Sequence, residues 1–351
     1  MTKSNAQIAD ASSPGPARWR RAAPVVTLLL LSPFISEVLF GATHMTTLFV
    51  FVPQMGTWGC GALIIRYLVQ HQQRNWTSIL LLGIALATAE ECVIQQTSLA
   101  PLVGVDPARV YGRILGVNWV YLLWALGYES IWAVVLPVQL TETVFPARRD
   151  DSWIGRRGLA IAVTVFVLAS VVAWYSWTQV ARPQVFHVPS YQPPLRSLLI
   201  ALTIITVLAV IALVPQSSPR PGQRDARPAP RPWLVGTVTC ALSLPWFLLL
   251  ALAYGAAPAL PSVIPIVIGL VLAASVFFLI RCWAAGSSWH DIHRLAAASG
   301  ALVASMLAGF KVSGIVLPVD YIGKLVFDGI AILLLARLSS RLRASEHTRS
   351  T

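Results

Sequence analysis

Apolar residues run along the chain in stretches of about twenty, broken by short polar segments, which is the length a helix needs to cross a bilayer core. Ten spans are predicted, at 24–42, 46–67, 77–98, 117–140, 158–178, 197–215, 233–254, 260–281, 295–315 and 321–339. The expected fold is all-α, a polytopic transmembrane helix bundle. Residues 1–23 are polar and rich in Pro, Ser and Ala, so they are expected to be a disordered tail. No small-residue cleavage site stands near Gly41 to Met45, and the first span is therefore read as uncleaved. A Pro- and Arg-rich linker, 216–232, divides a six-span part (24–215) from a four-span part (233–340), and 341–351 is expected as a second tail. Two loops opposite the linker are long. Leu102–Ile114 contains Asp106-Pro107, a helix-start signal, and its Arg109 and Arg113 at i, i+4 predict a short amphipathic helix. The prolines between Gln179 and Arg196 predict an extended segment.

Composition agrees with this pattern. The 351 residues are 56% hydrophobic and only 11% charged, against roughly a quarter charged in soluble domains. A formal net charge of +12 would suggest a nucleic-acid partner in a soluble protein. Here the positive residues fall in alternate loops. With the N-terminus inside, every cytoplasmic segment carries at least two, so both termini are expected in the cytoplasm. The charge then reports orientation in a lipid bilayer, and no nucleic acid is needed to explain it. The excess of arginine over lysine points to a bacterial plasma membrane. Cys60, Cys92, Cys240 and Cys282 lie in apolar surroundings without disulfide or metal spacing, and no nucleotide-binding or serine-nucleophile motif is present, so no cofactor is evident.

The chemistry lies in acids at membrane depth, where a carboxylate costs about 2.5–3.5 kcal/mol even on the lenient insertion scale. Glu37, Glu90, Glu91, Glu129 and Asp328 are so placed. Glu91 and Gln95 fall on one face at i, i+4, and Gly83, Ala87 and Glu91 form a small-residue stripe that permits close helix approach. Pro33 removes a donor one turn before Glu37 and predicts a kink there. Glu37, Glu90, Glu91, Gln95 and Glu129 are thus candidates to line one cavity, with Arg109 and Arg113 over its mouth. Asp320, Lys324 and Asp328, spaced i, i+4, i+8 with alternating sign, read as a structural ion-pair ladder. His290, Asp291 and His293 read as a helix cap at an interface, and Lys311 as a snorkelling side chain.

Ala89-Glu90-Glu91-Cys92-Val93-Ile94-Gln95-Gln96 resembles the Glu-Glu-x-x-x-Arg-Gly motif of the CAAX-processing and bacteriocin-processing intramembrane protease family. In that family the glutamates and later histidines activate water for peptide cleavage inside the membrane. Gln95 stands where the family has arginine and Gln96 where it has glycine. Glu129, in Leu126-Gly127-Tyr128-Glu129, falls where the histidine motif is expected. The resemblance covers predicted spans three and four, and it makes Glu90 and Glu91 candidate catalytic residues.

Three functions are compatible with these residues. The acids could bind or carry a proton, a cation or a cationic solute. They could act in an intramembrane hydrolase. They could tie helices together in a structural or accessory membrane protein. The buried carboxylates favour the first.

Overall fold

A computed structural model describes residues 18–106, 110–214 and 228–350. Arg109, most of the N-terminal tail and most of the 216–232 linker lie outside the described residues. Among those described, nine helices are long and apolar enough to cross a membrane, and the protein is an almost wholly helical multi-pass bundle. We number them α1 (Arg21–Val38), α2 (Met45–His71), α3 (Trp76–Ile94), α4 (Trp119–Val144), α5 (Arg156–Val185), α6 (Leu195–Leu213), α7 (Pro232–Ala253), α8 (Val263–Ala284) and α9 (Asp291–Val312). A further helix, α10 (Pro318–Ser350), carries Lys324, Asp328 and Arg337 within its apolar part and continues through the expected C-terminal tail.

Burial sorts the spans into two tiers. Only 6% of the apolar window of α5 is buried, and 11% of those of α6 and α8, so these three form a lipid-facing periphery. α5 lies along α2, α6 along α3 and α8 along α4. The inner helices approach closely where glycine allows it. At Gly59 a Cβ would stand 2.6 Å from the Leu29 carbonyl oxygen, which brings α2 onto α1. At Gly83 it would stand 3.2 Å from the Ser130 Cβ, which brings α3 onto α4. One core joins Ile35 of α1, and Phe40 just beyond it, to Trp124, Tyr128 and Trp132 of α4 and Phe247 of α7. Trp124, Tyr128 and Trp132 stack at 5.1 and 5.2 Å along one face of α4, the geometry of i, i+4 packing. A second core packs Leu28, Trp58, Leu63, Leu86 and Val138 where α1 to α4 meet.

Two loop expectations are corrected. Instead of an amphipathic helix, the end of the 102–114 segment forms an antiparallel hairpin, β1 (Arg113–Ile114) with β2 (Val117–Asn118). The reason is backbone chirality: Leu115 and Gly116 both take positive φ, the conformation a two-residue hairpin turn demands, and Gly104 and Gly112 add further left-handed positions. In the 179–196 segment the helix continues as a wide turn, Ser176–Val185, with Pro183 inside, and the extended backbone starts only beyond it. Bonding there skips to the fifth residue, as from the Phe186 N–H to the Ala181 carbonyl at 3.0 Å, and this tolerates the donor that proline lacks.

Candidate intramembrane carboxylate site

Each helix that carries a buried glutamate departs from α geometry at that glutamate. α1 is α-helical through Pro33 and then widens over Phe34–Val38, where the Leu39 N–H reaches back five residues to the Phe34 carbonyl at 2.9 Å. α3 widens over Glu90–Ile94, and the Gln95 N–H bonds to the Glu90 carbonyl at 2.8 Å. α4 widens over Glu129–Val135, closed by the Leu136 N–H on the Ile131 carbonyl. Such turns are rare and concentrate at functional sites. The first and the third have a proline beside them that removes a backbone donor, Pro33 before Phe34–Val38 and Pro137 just after Glu129–Val135.

The widened turns bring the four glutamates together. Glu90, Glu91 and Glu129 are buried, at 2%, 3% and 9% exposure, and Glu37 is half-buried. The Glu91 carboxyl meets that of Glu129 across the α3–α4 contact made by Gly83, and lies beside the Tyr121 hydroxyl. The Ser98 hydroxyl donates to Glu91 Oε2 at 2.7 Å. The Trp58 indole of α2 donates to Glu37 Oε1 at 3.0 Å. Glu37 in turn lies within electrostatic reach of Glu90 and Glu129. Among the described residues none of the four enters an ion pair, and Glu129 Oε2 is buried without a hydrogen-bond partner.

Gln95 belongs to the cluster through a different neighbour from the one helical spacing predicts. It reaches Glu90, because the i→i+5 turn places residues five apart on one face. The same turn lets the adjacent Glu90 and Glu91 both point into the cluster, one towards Glu37 and the other towards Glu129.

Asp328 does not join them. It pairs with Lys324 at 3.0 Å, and Lys324 Nζ also donates to the Leu39 carbonyl at 2.6 Å and lies 4.7 Å from the Phe310 ring centroid. Asp320 turns away from the expected ladder. It accepts from the Thr46 N–H at 3.0 Å and the Thr46 hydroxyl at 3.1 Å, with His44 Nδ1 3.8 Å away. The ladder thus has one rung, because the N-terminal end of α10 meets the start of α2 before it can meet Lys324. Arg113 lies on the hairpin, bonded to Asn118 and the Leu99 carbonyl.

Comparison with known proteins is brief. No family model, curated protein or solved structure matches the chain. The site's chemistry therefore has to be read from its own residues. Among those described, no three His, Cys, Asp or Glu side chains are arranged to hold a metal ion. Three of the six histidines are engaged elsewhere: His44 faces Asp320, His71 stacks on Tyr67 at 5.5 Å, and the His293 imidazole accepts from the His290 N–H at 3.2 Å in a helix cap. What remains is a cluster of carboxyls in which two meet directly. Two like charges in one dry site repel, and a shared proton or a bound cation are the general ways to relieve that repulsion.

Residue types alone did not single out Trp58, Ser98 and Tyr121 as members of this site. Each is an ordinary interface or span residue by position, and only the packing shows that a donor of each kind faces a glutamate.

Proposed function

We propose that Glu37, Glu90, Glu91 and Glu129 form an intramembrane proton- or cation-binding site, and that the protein uses it to bind or carry a proton, a small cation or a cationic solute. The observation that carries this reading is the meeting of Glu91 and Glu129 with no basic residue paired to either. Carboxyls kept only as interhelical ties would each need a donor, and Glu129 Oε2 finds none among the described residues. The reading divides the work between groups. Glu91 and Glu129 share the exchangeable proton or cation, Ser98 orients Glu91, and Trp58 and Gln95 hold Glu37 and Glu90 as the outer members of the relay.

The test is pH-titrated infrared difference spectroscopy on the reconstituted full chain. A carbonyl-stretch band of buried, protonated carboxyl should rise and fall with pH, and Glu91→Gln and Glu129→Gln should each remove it while the protein stays inserted. A titrating band left intact in both variants would refute the assignment. A band that never titrates in the wild-type protein would favour the structural role, for which the bonds from Trp58 and Ser98 speak.

The same proposal places α10 as a tenth span and both termini in the cytoplasm of a bacterial inner membrane. Its support is the gathering of Arg66, Arg148, Arg149 and Arg294 at one pole of the bundle. Cysteine labelling at the ends of α10 with a membrane-impermeant reagent checks it.

A further inference from the structure

We propose that Arg113 and Arg182 together form a second binding site, one that takes a phosphate group. Arg182 projects from the wide turn that ends α5 and is only 3% exposed. Its Nε donates to the Pro189 carbonyl at 3.3 Å and its Nη1 to the Pro101 carbonyl at 3.2 Å. Arg113, on β1 and half-buried, donates through Nη2 to the Leu99 carbonyl and through Nη1 to the Asn118 side-chain oxygen, both at 2.7 Å. Leu99 and Pro101 are two residues apart in one loop, so both guanidinium groups are anchored on that loop, and Arg182 lies within electrostatic reach of Tyr191 and of Arg113.

Neutral carbonyls and an amide satisfy some of these N–H groups but none of the charge. Among the described residues neither arginine enters an ion pair. A buried charge without a counter-charge is expensive, and two of like sign more so, which calls for an anion. The planar forks of two arginines match the oxygens of a phosphate better than a point charge would. The neighbouring hairpin tip presents Ile114 at 55% exposure and Leu115 at 87%, an apolar foot beside the cationic pair. That combination fits a phospholipid headgroup with its chains in the bilayer, or a free phosphate or phosphate ester arriving from water.

The site does not depend on the proton or cation reading, although the same loop links the two. Ser98, which donates to Glu91, precedes Leu99, and Asn118 donates to the Thr97 and Ala100 carbonyls. An anion drawn onto the arginines would therefore pull on the loop that orients Glu91.

The experiment uses the full chain in phosphatidylcholine nanodiscs. Inorganic phosphate is titrated against potassium chloride of equal ionic strength, with thermal stability as the readout. In parallel, protein from mixed phosphatidylcholine and phosphatidylglycerol vesicles is examined by native mass spectrometry for retained lipid. Selective retention of phosphatidylglycerol assigns the site to a headgroup, a phosphate-specific stabilisation assigns it to a free anion, and both results support the proposal. In either arm Arg113→Gln should weaken the effect about tenfold, the loss expected for one charged hydrogen-bond donor. Arg182→Lys, which keeps the charge without the fork, should weaken it as well. Neither probe acting on the wild-type protein, or equal action on wild-type and Arg113→Gln, would overturn the proposal. Arg113 is half-buried and on a hairpin, so its variant carries the test even where Arg182→Lys fails to insert.

Discussion

Two sets of acids lie within this bundle, and they are treated oppositely. At the arginine-rich pole Glu142, Asp151 and Asp291 each have a cation. Glu142 binds Arg66 at 3.1 Å, Asp151 binds Arg148 at 2.6 Å, and Asp291 binds Arg149 at 2.9 Å and Arg294 at 3.4 Å. Arg66 is buried and fully used. Its Nη1 and Nη2 donate to the Asp151 and Arg149 carbonyls, and its guanidinium lies 3.4 Å over the Trp153 ring. In the carboxylate site Glu91 and Glu129 meet, Glu37 and Glu90 lie within electrostatic reach, and among the described residues none of the four enters an ion pair. The first arrangement holds loops and helix ends in one geometry. On the proposed reading, the second leaves charge to be neutralised by something that comes and goes, and the placing of the arginines separates the two.

The contrast yields graded expectations. Arg66→Ala should be the most damaging, at about 3–5 kcal/mol, because it strands Glu142 and two carbonyls and empties the space over Trp153. Thermal unfolding in detergent, followed by tryptophan fluorescence, measures it, and a loss below about 1 kcal/mol would reduce the network to surface decoration. Lys324→Met should cost somewhat less, near 3 kcal/mol, by leaving Asp328 buried and alone. Adding Asp328→Leu should return most of that loss, since an apolar pair of similar volume replaces a buried ion pair at little cost. Failure of the second change to rescue the first would mean that the bond to the Leu39 carbonyl matters more than the pair. Gly83→Val should cost about 1–3 kcal/mol by forcing α3 away from Ser130, and it should also diminish the titrating infrared band by parting Glu91 from Glu129. Glu129→Gln sits at the far end of the scale. It conserves shape and removes a charge that nothing pairs, so stability should change by less than about 1 kcal/mol even though the proposed function is lost. A large destabilisation there would place Glu129 among the structural acids.

The spans were legible because twenty consecutive apolar residues have few other uses. α10 is the instructive exception, since Lys324, Asp328 and Arg337 dilute a stretch that otherwise reads like the others. The depth of each glutamate along its span indicated that the set could meet, and the Gly83 stripe predicted a close helix approach, which the structure shows at Ser130 of α4. What could not be read were the wide turns. Pro33 and Pro137 remove a backbone donor beside Phe34–Val38 and Glu129–Val135, but no proline stands beside Glu90–Ile94, so that turn arises from packing. The Arg66 network was hidden for a different reason. Its arginines lie at span ends, where orientation already accounts for them, and its principal pair joins residues 76 positions apart. The hairpin at 113–118 could have been anticipated from Leu115-Gly116, had the glycines been weighed above the amphipathic spacing of two arginines.

The bond from Lys324 to the Leu39 carbonyl spans 285 positions of sequence. Leu39 directly follows the widened turn that carries Glu37, so a side chain of α10 fastens the end of α1 beside the carboxylate cluster. A displacement of α10 along its axis would pull on that turn, which makes one lysine a mechanical link between the C-terminal helix and Glu37.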